Sequence, residues 1–347
     1  MIPYTLVAPV GDLLQAAGLA RTFTAEPIKG GGNNRVFRIE ANGRVAALKI
    51  YFHHAEDGRD RLGTEYAFAR FAWDSGLRML PEPIAANFEH RMALYEFIPG
   101  RRLAPKELDA AAVGEALAFF TALNRNRAAA RYLGPGSEAC FSVAEHLATV
   151  DRRISRHRQI TGADAEDEAA RDFVATRLEP AWRDLRARIA ARIGAALEEP
   201  LPPELRCISP SDFGFHNAIL VDSRLCFIDF EYAGWDDPAK LVGDFFNQVE
   251  MPVPSSHLPA FIDAVAAALD DPDGRIARRS KLLLPVYTIK WCCIVLNEFH
   301  ATGSARRRFA AVGDRDRKAK QVAKAHAAFA RLAPLIALSQ ECSNGLC

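Results

Sequence analysis

The strongest chemical signal in this chain is a set of oxygen-bearing side chains in Ser211-Asp212-Phe213-Gly214-Phe215-His216-Asn217 and Phe227-Ile228-Asp229-Phe230. A carboxylate can orient a hydroxyl and accept its proton, while a second carboxylate and an amide oxygen are hard ligands suited to Mg²⁺. Transfer of a phosphoryl group asks for that set, because it needs positioning and charge neutralisation more than covalent chemistry from the protein. Asn217 follows Asp212 by five positions and Asp229 lies twelve further on. Residues 217–221 and 225–230 read as two short strands joined at Asp222-Ser223. Such a hairpin returns Asp229 to Asn217 and leaves Asp212 nearby for an acceptor. Asp and Asn are also ordinary turn formers. The apolar Ile219, Leu220, Phe227 and Ile228 tip the balance, since polar groups at the ends of buried strands call for a reason.

A second set lies near the N-terminus. Lys49 interrupts the apolar run Ala46-Ala47-Leu48-Lys49-Ile50-Tyr51, and Glu65 shares a helix face with Phe68, Ala69 and Ala72. Each is an unlikely buried residue alone, and pairing them satisfies both. The pair would leave ammonium protons for the α/β-phosphates of a nucleotide. The plain alternative is a strand-edge lysine beside a half-exposed glutamate. Gly30-Gly31-Gly32-Asn33-Asn34-Arg35-Val36 reads by itself as a plain loop or, by its position before the first strands, as a phosphate flap, where glycines let backbone N–H groups approach phosphate closely. It is neither a G-x-G-x-x-G turn nor a Walker A loop.

These residues need elements to hold them. Residues 36–40 and 46–51 read as strands joined by the hairpin signal Asn42-Gly43. Residues 61–75 read as a helix that Gly76 can end, and 92–98 as a further strand stopped by Pro99-Gly100. The segment up to about Phe97 thus reads as strands around one helix. The rest is mainly helical, with candidates at 106–129, 143–159, 167–197, 257–269, 278–301 and 316–332. The expected organisation is α+β and bilobal: a small β-rich lobe over 1–98, a larger helical lobe over 99–347, and a cleft between them.

Composition narrows the function classes. The chain has 347 residues, 49% of them hydrophobic and 25% charged, with a formal net charge of +1, so no global field recruits nucleic acid or an anionic membrane. Arg306-Arg307-Arg308 reads as part of a solvated helix face, given Asp314 and Asp316 nearby. The seven cysteines are scattered without a C-x-x-C pair, which disfavours zinc or a disulfide framework and fits a reducing cytoplasm. The apolar stretch 282–296 contains Lys290 and is shorter than a bilayer requires, so it reads as a core helix.

Taken in chain order, these motifs resemble the aminoglycoside phosphotransferase and choline kinase-like superfamily, from about Lys29 to Phe246. The resemblance implies a protein-kinase-like fold, with Gly31, Gly32, Asn33 and Asn34 in the flap, Lys49 and Glu65 as the phosphate-facing pair, and a hinge at Glu96, Phe97 and Ile98 that receives adenine. It implies Asp212 as the catalytic carboxylate and Asn217 and Asp229 as Mg²⁺ ligands. Ile228-Asp229-Phe230-Glu231 and Gly234-Trp235-Asp236-Asp237-Pro238 extend the likeness. The chain also departs from the pattern. Pro210-Ser211 replaces the usual His-Gly before the catalytic Asp, Gly214 stands where His is frequent, His216 stands where Gly is usual, and Lys240 to Gly243 intervene before Asp244. His216 reads either as a packed loop histidine or as a phosphate contact. Glu231, Tyr232, Trp235 and Asp236 read either as acceptor-pocket lining or as a structural loop.

The expected activity is ATP- and Mg²⁺-dependent phosphorylation of a small hydroxylated acceptor: an amino sugar, sugar derivative, amino alcohol or antibiotic. The helical region 106–197 is expected to wall its pocket, in a cytoplasmic monomer or homodimer without nucleic-acid or membrane partners. The rival reading is an inactive nucleotide-binding pseudokinase scaffold. A protein kinase ranks lower, since no Ala-Pro-Glu segment follows Asp229, and nucleotidyl transfer is a third alternative.

Overall fold

A computed structural model describes residues 2–28, 33–55, 57–300, 309 and 316–341. Gly31, Gly32, Arg306 to Arg308 and Asp314 lie outside the described residues.

Five antiparallel strands form the N-terminal sheet: β1 (Thr24–Ile28), β2 (Arg35–Ala41), β3 (Arg44–Ile50), β4 (Pro83–Asn87) and β5 (Met92–Glu96), in the spatial order β1-β2-β3-β5-β4. The β2–β3 hairpin turns at Asn42 and Gly43, both at positive φ (49° and 75°), as the Asn-Gly pair demands. Strand parity then sorts the side chains. Ala46, Leu48 and Ile50 of β3 join Phe37 and Ile39 in a core covered by Val10, Leu13 and Leu14 of helix α1 (Tyr4–Ala16). The odd residues Ala47, Lys49 and Tyr51 face the other way, toward helix α2 (Arg61–Asp74) and the helical region. Asp60 caps α2 by accepting from Gly63 N at 2.9 Å, and Gly76, at φ 86°, follows its end.

The N-terminal expectation of strands around one helix is therefore corrected: α1 is a second helix, on the opposite face of the sheet from α2. The last strand ends at Glu96 rather than Ile98. Residues 97–100 turn out of the sheet to β6 (Arg101–Arg102), which pairs with β8 (Ala218–Val221), itself paired with β9 (Arg224–Phe227). Gly100 makes that exit possible. A Cβ there would lie 2.4 Å from Ile219 Cγ2 and 2.5 Å from the Leu220 carbonyl oxygen. Gly100→Ala is expected to destabilise the protein by about 1–3 kcal/mol, the usual cost of overpacking, as a lower thermal midpoint. An unchanged midpoint would show that this crossing point is loose.

The helical region contains α3 (Ala110–Arg125), α4 (Val143–His157), α5 (Ala165–Phe173), α6 (Glu179–Ile193), α7 (Pro238–Asn247), α8 (Leu258–Ala268) and α9 (Arg275–Leu296), followed by helices Arg317–Ala330 and Leu332–Glu341. The helix expected over 167–197 is divided: a π turn at Val174–Leu178 separates α5 from α6, and Pro180 sits in the first turn of α6. Helix α7 was not expected at all. Helix α9 is the central post, packing against α4, α6, α7 and Arg317–Ala330. By composition the stretch Arg275–Phe299 is apolar enough to cross a membrane, but 72% of its most apolar window is buried inside the fold. Lys290 within it is bonded to both oxygens of Asp244 at 3.1 and 3.0 Å.

Candidate functional site

The loop after β7 (Cys207–Ser209) owes its shape to alternating side chains. Phe213 and Phe215 are buried against Phe245, with ring centroids 5.3 and 5.5 Å away, and Phe213 also stacks on Phe119 at 5.7 Å. Burying those two rings turns the side chains of Asp212 and His216, both half-buried, away from the core. A 3₁₀ turn at Phe215–Asn217 then leads into β8. The Asn217 amide nitrogen donates to the Asp212 carbonyl at 3.0 Å, which leaves the Asn217 side-chain oxygen directed elsewhere. Ile228 N donates to the Asn217 carbonyl at 2.9 Å, so the hairpin does bring Asp229 back beside Asn217. Its turn residues Asp222 and Ser223 both take positive φ, 46° and 67°.

Asp229 itself has φ 70°, a conformation that costs a non-glycine residue energy and needs support from its surroundings. Lys49 supplies some of it. Its Nζ lies 2.5 Å from Asp229 Oδ1 and 2.6 Å from Glu65 Oε2. The lysine is 8% exposed and Glu65 4%. Burial alone would lower the Lys49 pKa, but Asp229, Glu65 and Glu231 raise it well above the ordinary lysine value. Burial pushes the Glu65 carboxyl up to about 7 despite Lys49, with Asp229 adding to the rise. Burial likewise raises Asp229, and Lys49 opposes it. Asp212 goes the other way. Its desolvation is outweighed by His216 and Asn217, so its pKa falls below the usual aspartate value and it stands as a carboxylate at neutral pH.

Asn33 and Asn34, expected in a flap, both point at a carboxylate. Asn33 and Asn34 donate to Glu231 Oε1 and Oε2 at 2.7 and 2.6 Å, and Arg61 donates to Glu231 Oε1 at 2.8 Å. Arg61 also reaches Tyr232 Oη and Asp57 Oδ2, each at 2.6 Å. Asn34 Oδ1 accepts from Phe52 N at 3.0 Å. Asn33, Asn34 and the start of α2 are thus tied to the segment just after Asp229. Burial would raise the Glu231 pKa, but Lys49, Arg61 and Asn34 hold it below the ordinary glutamate value. Reading the sequence did not find Arg61. The signal was available: an arginine in the first turn of a helix opposes the helix dipole and needs a carboxylate partner. Glu231→Ala is expected to lower the thermal midpoint by several degrees, since Arg61 keeps Asp57 but loses its second carboxylate and Asn34 Nδ2 loses its acceptor. An unchanged midpoint would show that this tie carries little of the stability.

The replacement of His-Gly by Pro210-Ser211 has a local solution. Ser211 takes φ 63°, its N–H donates to Ser209 Oγ at 3.0 Å, and Lys240 Nζ reaches Ser211 Oγ at 3.4 Å. Lys240 is buried between Asp236 at 2.5 Å and Asp244 at 3.6 Å. Burial pushes Asp236 up to about 6 against the pull of Lys240. Asp237 caps α7 through Ala239 N at 2.7 Å and meets His146 and Arg279. Trp235 Nε1 donates to the Ala130 carbonyl at 3.0 Å. Glu231, Trp235 and Asp236 are therefore engaged in holding the loop. In the segment expected as a hinge, Glu96 N donates to the Glu82 carbonyl at 2.9 Å, Phe97 lies under Arg38 at 5.7 Å, and Ile98 O accepts from Gly100 N at 2.9 Å.

The sheet with its buried lysine–glutamate pair, joined through a short crossing segment to a helical region, gives this chain a kinase-like fold. The chain belongs to the phosphotransferase enzyme family, whose family model matches residues 24–281. No curated protein matched the sequence. Among solved structures, it is similar to a choline/ethanolamine kinase family protein from Mesorhizobium loti, with a TM-score of 0.59 and 18% identity over 98% of this chain and 100% of that one. An ethanolamine kinase from Plasmodium vivax gives a TM-score of 0.60 at 14% identity, covering 94% and 86%. A spectinomycin phosphotransferase, solved with ADP and spectinomycin, gives 0.55 at 14%, covering 92% and 97%.

Proposed function

We propose that the protein transfers the γ-phosphate of ATP to a hydroxyl of a small molecule. The observation that carries this reading is the convergence of Lys49, from one lobe, on Asp229, from the other, with Glu65 behind it and Asp212 and Asn217 on the adjoining loop. Division into lobes near residue 98 belongs to the same reading, with ATP in the cleft and adenine against Glu96 to Ile98. Lys49 Nζ has the charge and the reach for the α/β-phosphates. Asp212 orients the acceptor hydroxyl and takes its proton as the O–P bond forms.

The donor set fits Mg²⁺. The hydrogen bond from Asn217 Nδ2 fixes which end of that amide is left as an oxygen ligand, and Asp229 keeps one carboxylate oxygen beyond the one on Lys49. Asn217 and Asp229 would hold the ion, which neutralises phosphate charge when bound. The acceptor class follows the family and structural likeness: an amino alcohol, amino sugar, sugar derivative or antibiotic. The test is a thermal-shift titration with ATP and Mg²⁺, then ADP release across a panel of hydroxylated metabolites and antibiotics. Phosphorylated product is expected, heavier by about 80 Da, the mass of one added phosphoryl group. Binding without turnover on every acceptor would instead support a pseudokinase scaffold.

A further inference from the structure

His216 lies against the side chain that the proposed reaction uses as its base. Its Nε2 is 3.2 Å from Asp212 Oδ1. An ionised carboxylate only accepts hydrogen bonds, so Nε2 carries the proton and donates it. The contact is built by the loop. Phe213 and Phe215 are buried beneath it, and the 3₁₀ turn at Phe215–Asn217 folds residue 216 back over residue 212. Gly214 keeps the path clear, since a Cβ there would lie 2.9 Å from His216 Nδ1. The turn is fixed at both ends: Arg102 of β6 donates to the His216 carbonyl, and Asn217 Nδ2 donates to the Asp212 carbonyl. The other ring nitrogen, Nδ1, is buried without a hydrogen-bond partner among the described residues, so the ring's one polar contact is the base itself.

We infer that His216 is a positioning residue: it holds Asp212 Oδ1 so that Oδ2 is presented to the acceptor hydroxyl. This rests on the kinase reading above. A carboxylate held by one oxygen cannot rotate away from the attacking group, and that restraint acts on the chemical step rather than on nucleotide binding. A hydrogen bond from Arg102, two residues beyond the hinge exit at Gly100, ties the same turn to the chain leaving the nucleotide lobe.

Three variants separate donation from simple filling of space. His216→Gln keeps a donor near the Nε2 position, His216→Asn places it near Nδ1, and His216→Ala removes it. Rates are read as ADP release with ATP and Mg²⁺ and the most active hydroxylated compound of the panel, or water where none is active. His216→Ala and His216→Asn are expected to lower kcat about 10–100-fold with KM for ATP within about threefold, and His216→Gln to recover to within about fivefold of the parent. Equal rates for the Asn and Gln variants, or an unchanged kcat in the Ala variant, would overturn the inference. A second readout needs no turnover. In protein labelled with ¹⁵N-histidine, one Nε2–H resonance protected from solvent exchange should vanish in His216→Gln and move in Asp212→Asn. If no such resonance exists, the bond and the inference both fail. If the resonance is present but the chain binds no ATP, the kinase reading fails and takes the positioning role with it.

Discussion

Asp212→Asn is expected to lower phosphoryl transfer about 10²–10⁴-fold, the usual span for loss of a positioned general base, while ATP still binds. The substitution keeps the shape of the side chain, and its Oδ1 can still accept from His216 Nε2, so the loop should not rearrange. What disappears is the negative charge and the ability to take the acceptor proton. Because His216 and Asn217 hold the Asp212 pKa below the usual aspartate value, the wild-type group is ionised throughout the neutral range, and the comparison is between a full carboxylate and a neutral amide. A thermal shift with ATP and Mg²⁺ should remain close to wild type, because Lys49, Glu65 and Asp229 are untouched. Initial rates of ADP release measured beside that shift decide the matter. A variant that turns over as fast as wild type would remove Asp212 from the chemistry.

How much of this was legible in the sequence depends on the range of the contacts. Lys49 could be placed because strand parity is local: with Leu48 and Ile50 committed to one face, residue 49 must present to the other, where α2 brings Glu65. The hairpin that returns Asp229 to Asn217 was legible for the same reason, since a two-residue turn fixes its own register. Helix α7 was hidden by its burial. Every residue from Pro238 to Asn247 is buried, and its polar residues Lys240, Asp244 and Asn247, which share one face, meet buried partners rather than water, so the element does not show the solvated face by which a surface helix is read. Pro9 and Gly11 masked α1, and the prolines at 81 and 83 masked the start of β4.

The tie at Glu231 was out of reach for another reason. Its donors Arg61, Asn34 and Asn33 are 170, 197 and 198 positions away in the chain, and no local pattern connects residues so far apart. The sequence reading gave Asn33 and Asn34 to the phosphate flap by position. The structure shows where their side chains go, and the backbone N–H groups that a flap would use belong partly to Gly31 and Gly32, outside the described residues. The departures before Asp212 have their reason in the tertiary structure, not in the local sequence. Lys240, which reads as a gap in the expected acidic pattern, is buried between Asp236 and Asp244 and touches Ser211.

Lys49→Met should show the second large effect, on stability and on activity together. The lysine is the cation shared by Glu65 and Asp229, at 2.6 and 2.5 Å, and both carboxyls are already raised by burial. Methionine fits the stem but leaves two buried acids facing one another, and breaking a buried ion pair by removing one partner typically costs about 3–5 kcal/mol. The sign with pH follows from the raised pKa values. A carboxyl with a folded pKa above its unfolded one binds protons more tightly in the native state, so its contribution is full below the unfolded value near 4.5 and is lost as pH rises through the folded value. In the parent protein that window for Glu65 ends at about 7. Without Lys49 it should widen upward. Denaturant midpoints of Lys49→Met should therefore recover as pH is lowered from 8 to 5, more steeply than those of the parent. Adding Glu65→Gln should flatten that slope and return part of the stability, since it removes one of the two facing acids. Phosphoryl transfer should stay lost in both variants, because neither has an ammonium to meet the phosphates. A Lys49→Met protein as stable as the parent at pH 8, with no pH slope, would mean that Glu65 and Asp229 do not share this lysine.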